Sequence, residues 1–155
     1  MQGSAVDELT DAVLAASRVL VAVAADSLAG IPDDLTLPQY RTLVVLHSRG
    51  SQSVQDLAHE LDVVPSSATR MCDRLVRKRL IVREPVEGNR REVQVSITAA
   101  GASIVATVSR RRRARIRRIV ANMPAARRAS LVAALEDFAA ASGEVPEDAW
   151  FLGWT

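Results

Sequence analysis

Between Ser66 and Arg91 the chain collects side chains suited to gripping an anion rather than to breaking bonds. Ser66, Ser67 and Thr69 are short hydroxyls, Arg70, Arg74 and Arg77 follow at helical spacing, and Asn89, Arg90 and Arg91 close the stretch. Hydroxyls reach phosphate oxygens and base edges, and a guanidinium takes a guanine edge or a phosphate with two parallel hydrogen bonds. Taken alone, such a composition also fits a solvated helix face that happens to be rich in arginine. Nothing comparable points to catalysis. His47 and His59 fall on different expected helices, with no acid or cysteine neighbours at metal-ligand spacing, and no glycine-rich phosphate loop is present. An enzyme is therefore not expected, nor a metal or cofactor, and both histidines read as ordinary packed or surface residues.

These side chains need two short helices and a hairpin to hold them. Leu57, Ala58, Leu61, Val63, Ala68 and Met71 fall where a helix-turn-helix requires inward-facing residues. Ala58 permits the close backbone approach of two steeply crossed helices, and Val63 fills the corner. Ser53 with Asp56 marks the start of the first helix, while Asp62 and Pro65 bracket the turn. The second helix is expected from Pro65 to about Arg79, with Ala68, Met71, Cys72, Leu75 and Val76 inward and the hydroxyls and arginines outward. Val93, Val95 and Ile97 then alternate with Gln94 and Ser96, the period of a strand. Gly88-Asn89 supplies turn chemistry for a hairpin that places Arg90 and Arg91 at its tip. A thin loop carrying guanidinium groups can enter a minor groove, where negative potential is concentrated.

Leu35-Thr36-Leu37-Pro38-Gln39-Tyr40, Asp73-Arg74-Leu75, Asn89-Arg90-Arg91 and Ile97-Thr98-Ala99-Ala100-Gly101 together resemble the MarR family of bacterial transcriptional regulators, over about residues 7–142. The resemblance implies a homodimer of winged helix-turn-helix subunits on a pseudo-palindromic operator of double-stranded DNA, often released by a small phenolic or other lipophilic effector or by oxidation. By the same resemblance Arg70 matches the arginine of the recognition helix that contacts a base or phosphate, and Arg91 matches the arginine at the wing tip. Two positions depart from the pattern. Asn89 replaces an aspartate that braces the wing arginine, and a neutral amide cannot make that charge-assisted pair. Arg79 stands where a glycine commonly ends the recognition helix.

The expected fold class is mainly α with a small β-hairpin wing, a winged helix-turn-helix head on a helical dimerisation base. We read 1–155 as a single subunit, with 7–34 and 99–142 as the helical dimerisation region, 35–98 as the DNA-binding region and 143–155 as an aromatic tail. A net charge of +2 conceals a steep asymmetry. Residues 1–62 carry 3 basic and 9 acidic side chains, 63–131 carry 17 and 4, and 132–155 carry 0 and 5. A basic centre between acidic ends suits a polyanion on one surface and protein contacts elsewhere. The acidic N-terminus does not read as a signal peptide, Val19–Ala25 is too short to span a bilayer, and a single cysteine forms no internal disulfide. The expected location is the cytoplasm, without membrane contact.

The outer segments read as long helices. Leu9, Val13, Ala16, Leu20 and Val23 form a stripe longer than the small head can cover, so part of it should face a partner subunit. Thr36 and Gln39 form a capping box, with Leu35 stapled against Tyr40, and Thr98 caps a helix reaching about Asn122. On that helix Arg110–Arg113, Arg115, Arg117 and Arg118 read as a solvated face or as extra phosphate contacts. Arg112 lines up with Val108 and Ile116, so it is expected to be buried and paired with an acid such as Asp11 or Asp26, or else to meet an effector carboxylate. Tyr40 and Arg112 are the effector-binding candidates. Leu131, Val132, Leu135 and Phe138 stripe a last helix opened by Pro124. Trp150, Phe151 and Trp154 could dock on the chain's own core, pack across a dimer or cover an effector pocket. Cys72 reads first as packing, with thiol sensing as the lesser alternative. The competing functional class is a winged-helix module that binds protein and has no specific DNA affinity.

Overall fold

The computed structural model describes residues 2–31, 35–86 and 88–143, with the side chains of residues 2, 3 and 89–92 left out. In chain order the elements are α1 (Gln2–Leu28), α2 (Leu37–Arg49), β1 (Gln52–Ser53), α3 (Val54–Glu60), α4 (Pro65–Arg77), β2 (Ile81–Val86), β3 (Asn89–Ile97), α5 (Ala99–Ala121) and α6 (Ala125–Ala141). The fold is mainly helical with a small antiparallel sheet, as the hydrophobic periods require.

Local chemistry sets the helix starts. At α2 the Thr36 hydroxyl accepts the Gln39 N–H while the Gln39 side-chain oxygen accepts the Thr36 N–H, a reciprocal capping box. Leu35 and Tyr40, the two staple positions, are both buried in the core. At α3 the Ser53 hydroxyl accepts from the Asp56 N–H at 3.0 Å and donates to its carboxylate at 2.7 Å. The turn into α4 works through Asp62, which takes a left-handed conformation at φ 53°, a geometry that Asp tolerates better than most residues. Val63 N–H then donates to the Ala58 carbonyl at 3.0 Å, and the buried Ala58 and Ala68 allow α3 and α4 to cross closely.

Three boundaries differ from the sequence reading. First, α4 ends at Arg77, because Arg79 leaves the helical region for φ 58°; the Leu80 N–H then returns to the Leu75 carbonyl at 3.0 Å. Second, Pro124 caps α6 from outside instead of opening it. Third, the β2–β3 hairpin is as expected but gains a further strand. Gln52 and Ser53 add a short third strand, giving the order β1-β3-β2, with Gln52 opposite Val95. Two residues are too few to leave a period-two signal. Pro85 sits on β2, at the sheet edge, where its missing donor is tolerated. Gly88 turns the tip at φ 84°, and Asn89 already pairs with Val86.

Arg79 stores strain. A left-handed conformation costs an L-residue with a Cβ roughly 1–2 kcal/mol and costs glycine almost nothing, although glycine loses more backbone entropy on folding. Arg79→Gly is expected to raise stability by about 0.5–1 kcal/mol, read as a higher urea midpoint. An unchanged or lower midpoint would show that the arginine side chain compensates for its backbone.

The core is built from α2, α3, α4, the sheet and the first half of α5: Leu43, Val45, Leu46, Leu57, Leu75, Ile81, Val95, Val105 and Val108 are almost entirely excluded from solvent. The outer helices are different. On α1, Val6, Leu9 and Val21 are 63–66% exposed, and α6 buries none of its residues, leaving Phe138 55% exposed. Isolated exposed apolar residues are ordinary, but two striped helices with open faces call for a covering surface.

Candidate nucleic-acid interface

Helix α4 presents the expected polar face. Ala68, Cys72 and Leu75 are buried beneath it, while Ser66, Thr69, Arg70, Arg74 and Arg77 are exposed and Ser67 is half-buried. The Thr69 hydroxyl donates back to the Pro65 carbonyl at 3.0 Å, and the residue remains exposed. Arg70 donates to the Ser67 hydroxyl at 3.4 Å, a long contact that holds the guanidinium over the first turn without committing it.

Arg70 and Arg74 also border a groove of about 250 Å³, completed by Ser67, Met71 and, from the start of α2, Thr36, Pro38 and Gln39. This meeting of α2 with α4 was not legible in the sequence, since thirty-odd residues separate the two sets. It places the amino end of one helix, which carries a partial positive charge, beside two guanidinium groups. Such a groove suits a single phosphate or another small oxyanion.

A second feature absent from the sequence reading is the ion pair between Arg83 of β2 and Asp73 of α4, at 2.7 Å. Both side chains are more than a third exposed, so the pair adds little stability. Its geometric effect is to tie the inner edge of α4 to the first strand of the wing. Arg49 and Glu60 make a similar tie between α2 and α3 at 2.9 Å. Asn89, Arg90 and Arg91 stand at the start of β3, but their side chains lie outside the described set. Trp150, Phe151 and Trp154 lie outside the described residues altogether.

Burial pushes the Cys72 thiol up from its ordinary range, against a smaller downward pull from Arg83. A buried thiol with little thiolate is a poor nucleophile, which favours the packing role. His59 is exposed and His47 half-buried; among the described residues no three His, Cys, Asp or Glu side chains are grouped to hold a metal ion.

The expectation for Arg112 is corrected. Its side chain is exposed in the single chain, and Asp26 pairs instead with Arg115 at 3.5 Å. Arg111 donates to the Ala29 carbonyl at 2.9 Å. The long α1–α5 contact thus presents positions 111 and 115 to α1 and turns position 112 toward α2. There Tyr40 is buried, its hydroxyl 3.3 Å from that of Ser109. Burial pushes the tyrosine pKa up, offset in part by the Ser109 hydrogen bond and by the nearby Arg112 charge. Tyr40 and Arg112 therefore do face one region, although not by the burial that the helical stripe suggested.

Comparison with known proteins agrees with this architecture. The MarR family model matches residues 35–93, from the start of α2 into β3. The crystal structure of RV1404 from Mycobacterium tuberculosis is 46% identical, covers 89% of this chain and 94% of its own, and superposes with a TM-score of 0.83. The chain belongs to the MarR family. Among curated relatives, the uncharacterised HTH-type transcriptional regulator YhbI of Bacillus subtilis is 35% identical over 74 residues, 48% of each chain. The HTH-type transcriptional repressor MdtR of the same organism is 37% identical over 67 residues, 43% of each. The chain thus matches about half the length of these curated relatives. The matched residues 35–93 include all of α4 and most of the β2–β3 hairpin.

Proposed function

We propose that this MarR-family protein is a homodimeric, sequence-specific DNA-binding transcriptional regulator, acting as a repressor that a small molecule releases. The observation that carries the proposal is the sorting of α4, with Ala68, Cys72 and Leu75 buried, Met71 and Val76 packed against the core, and Ser66, Ser67, Thr69, Arg70, Arg74 and Arg77 left outward or at the rim. A helix so sorted can lie in a major groove and place hydroxyls and guanidinium groups on base edges. The groove between α2 and α4 suits a backbone phosphate that sets the register, and Asn89, Arg90 and Arg91 at the wing are assigned to the adjacent minor groove. Exposed apolar stripes on α1 and α6 supply the surface for a second copy, so that a two-fold dimer meets a pseudo-palindromic operator. MdtR, by its name, is a repressor, which supports that sign of regulation.

No catalytic activity is proposed, and the site of action is the cytoplasm; no described helix is long and apolar enough to cross a membrane. The deciding experiment is a titration against the DNA upstream of the protein's own coding region, with random duplex as competitor, at two salt concentrations. Competitor-resistant binding with a steep salt dependence is the expected result. Absence of affinity even at low salt, from a folded dimer, would overturn it in favour of a protein-binding module.

The effector is assigned to the region of Tyr40 and Arg112. An apolar, phenol-bearing wall beside an exposed guanidinium suits a small aromatic or lipophilic anion. With salicylate as the probe, DNA release by the native protein is expected to require at least tenfold more ligand in Arg112→Ala, with DNA affinity itself unchanged. Equal release by both proteins would remove Arg112 from the effector site.

A further inference from the structure

The seven arginines of α5, which has no acidic residue, are only partly used within the chain. Arg111 and Arg115 are engaged with the end of α1, and Arg110 donates to the Thr107 hydroxyl at 3.2 Å. Arg113, Arg117 and Arg118 are exposed and make no ion pair among the described residues. The first half of α1 shows the opposite sign: Asp7, Glu8 and Asp11 are exposed and likewise unpaired among the described residues, on the same stretch of helix as the exposed Val6, Leu9 and Leu14.

These two sets cannot meet within one chain. Arg111 touches Ala29 while Arg115 touches Asp26, so α1 and α5 run antiparallel. By that register Arg118 falls opposite about residue 23 of α1, and at 1.5 Å per residue Asp11 lies about 18 Å further along. The acidic half of α1 therefore projects past the end of its own α5, with its apolar stripe uncovered.

We propose that two copies recognise each other by charge as well as by apolar burial, the Asp7, Glu8 and Asp11 edge of each α1 lying against the partner's Arg113, Arg117 and Arg118. This rests on the homodimer reading and specifies how that dimer chooses its partner. A two-fold interface repeats every contact, so acid facing acid or arginine facing arginine would be penalised twice, and the crossed arrangement is favoured twice. Helix α6 offers only Arg127 as a competing exposed cation. Its charges cancel, and Arg128 is occupied with the Ala121 and Met123 carbonyls at the end of α5. Exposed pairs are individually weak, and their weight here is in excluding wrong partners and wrong registers.

The test uses two full-length variants. One carries Arg113→Glu, Arg117→Glu and Arg118→Glu; the other carries Asp7→Lys, Glu8→Lys and Asp11→Lys. At low salt each alone is expected to self-associate at least tenfold more weakly than the native protein by sedimentation equilibrium. Mixed in equal amounts, the two should form a heterodimer by native mass spectrometry, because both crossed pairings are then restored. High salt should erase the differences. Native-like self-association of both variants, or a mixture without heterodimer preference, would overturn the charge key while leaving the homodimer intact. A native protein that stays monomeric at tens of micromolar would instead overturn the homodimer. Normal dimerisation of the glutamate variant with weakened DNA binding would reassign the arginines to nucleic acid. Should either variant fail to fold by circular dichroism, the corresponding glutamine or asparagine triple takes its place, with a flattened salt dependence of dimerisation as the expected result and a native-like one as the overturning result.

Discussion

Gly101→Ala is expected to destabilise the protein by about 1–3 kcal/mol, the range for forcing an extra methyl into a filled site. Gly101 is buried in the first turn of α5, and an added Cβ would meet the Leu80 carbonyl oxygen head-on and the Ile97 Cγ1 at 2.8 Å. The carbonyl cannot yield. It accepts the Thr98 N–H at 3.0 Å and lies 3.0 Å from the Thr98 hydroxyl, which also accepts the Gly101 N–H at 3.1 Å. This knot joins the segment leaving α4, the end of β3 and the start of α5. Alanine's better helix propensity, worth about 1 kcal/mol, offsets only part of the clash. For a chain of this size each kcal/mol lowers Tm by about 2–4 °C, so thermal unfolding at a fixed protein concentration measures the effect. DNA affinity should fall with it, because α4 and the wing would no longer share one frame. A Gly101→Ala protein as stable as the native one would show that α5 does not approach Leu80 this closely.

Arg70→Ala is expected to cost about 1–3 kcal/mol of operator affinity, roughly a 5- to 150-fold weaker complex, if its guanidinium reads a base. The loss should be selective, with random duplex bound nearly as before. Arg70→Lys separates charge from shape, because lysine keeps the charge without the two-pronged fork. Near-native affinity in the lysine protein, or equal weakening on operator and random DNA, would assign Arg70 to the phosphate groove that it shares with Arg74 and the start of α2. Neither change should alter stability by more than about 0.5 kcal/mol, since Arg70 is exposed and surface substitutions seldom exceed that.

What could be read from the chain alone was whatever local physics dictates. The capping box at Thr36 and Gln39, the Ser53 and Thr98 caps, the buried stripe of α4 and the turn at Asp62 all depend on residues within a few positions of one another. The polar face of α4 follows from the same stripe, because once Ala68, Cys72 and Leu75 are inward the hydroxyls and arginines have only the outside left. The hairpin followed from the alternation of Val93, Val95 and Ile97 and the Gly88-Asn89 turn, and family resemblance added its reading as a wing and the expectation of a two-fold dimer on DNA.

Tertiary structure decided what depends on residues far apart in sequence. Arg112 misled because a helical stripe reports only which side of a helix is apolar; where α1 actually crosses α5 makes positions 111 and 115 the contacting ones and leaves position 112 exposed. The pairing of Gln52 with Val95, the Asp73–Arg83 ion pair, and the convergence of Thr36 and Gln39 on Arg70 and Arg74 have no local signature. Each arises only when elements distant along the chain pack around one core. Residue spacing determines the faces of helices, and only their packing determines which faces meet.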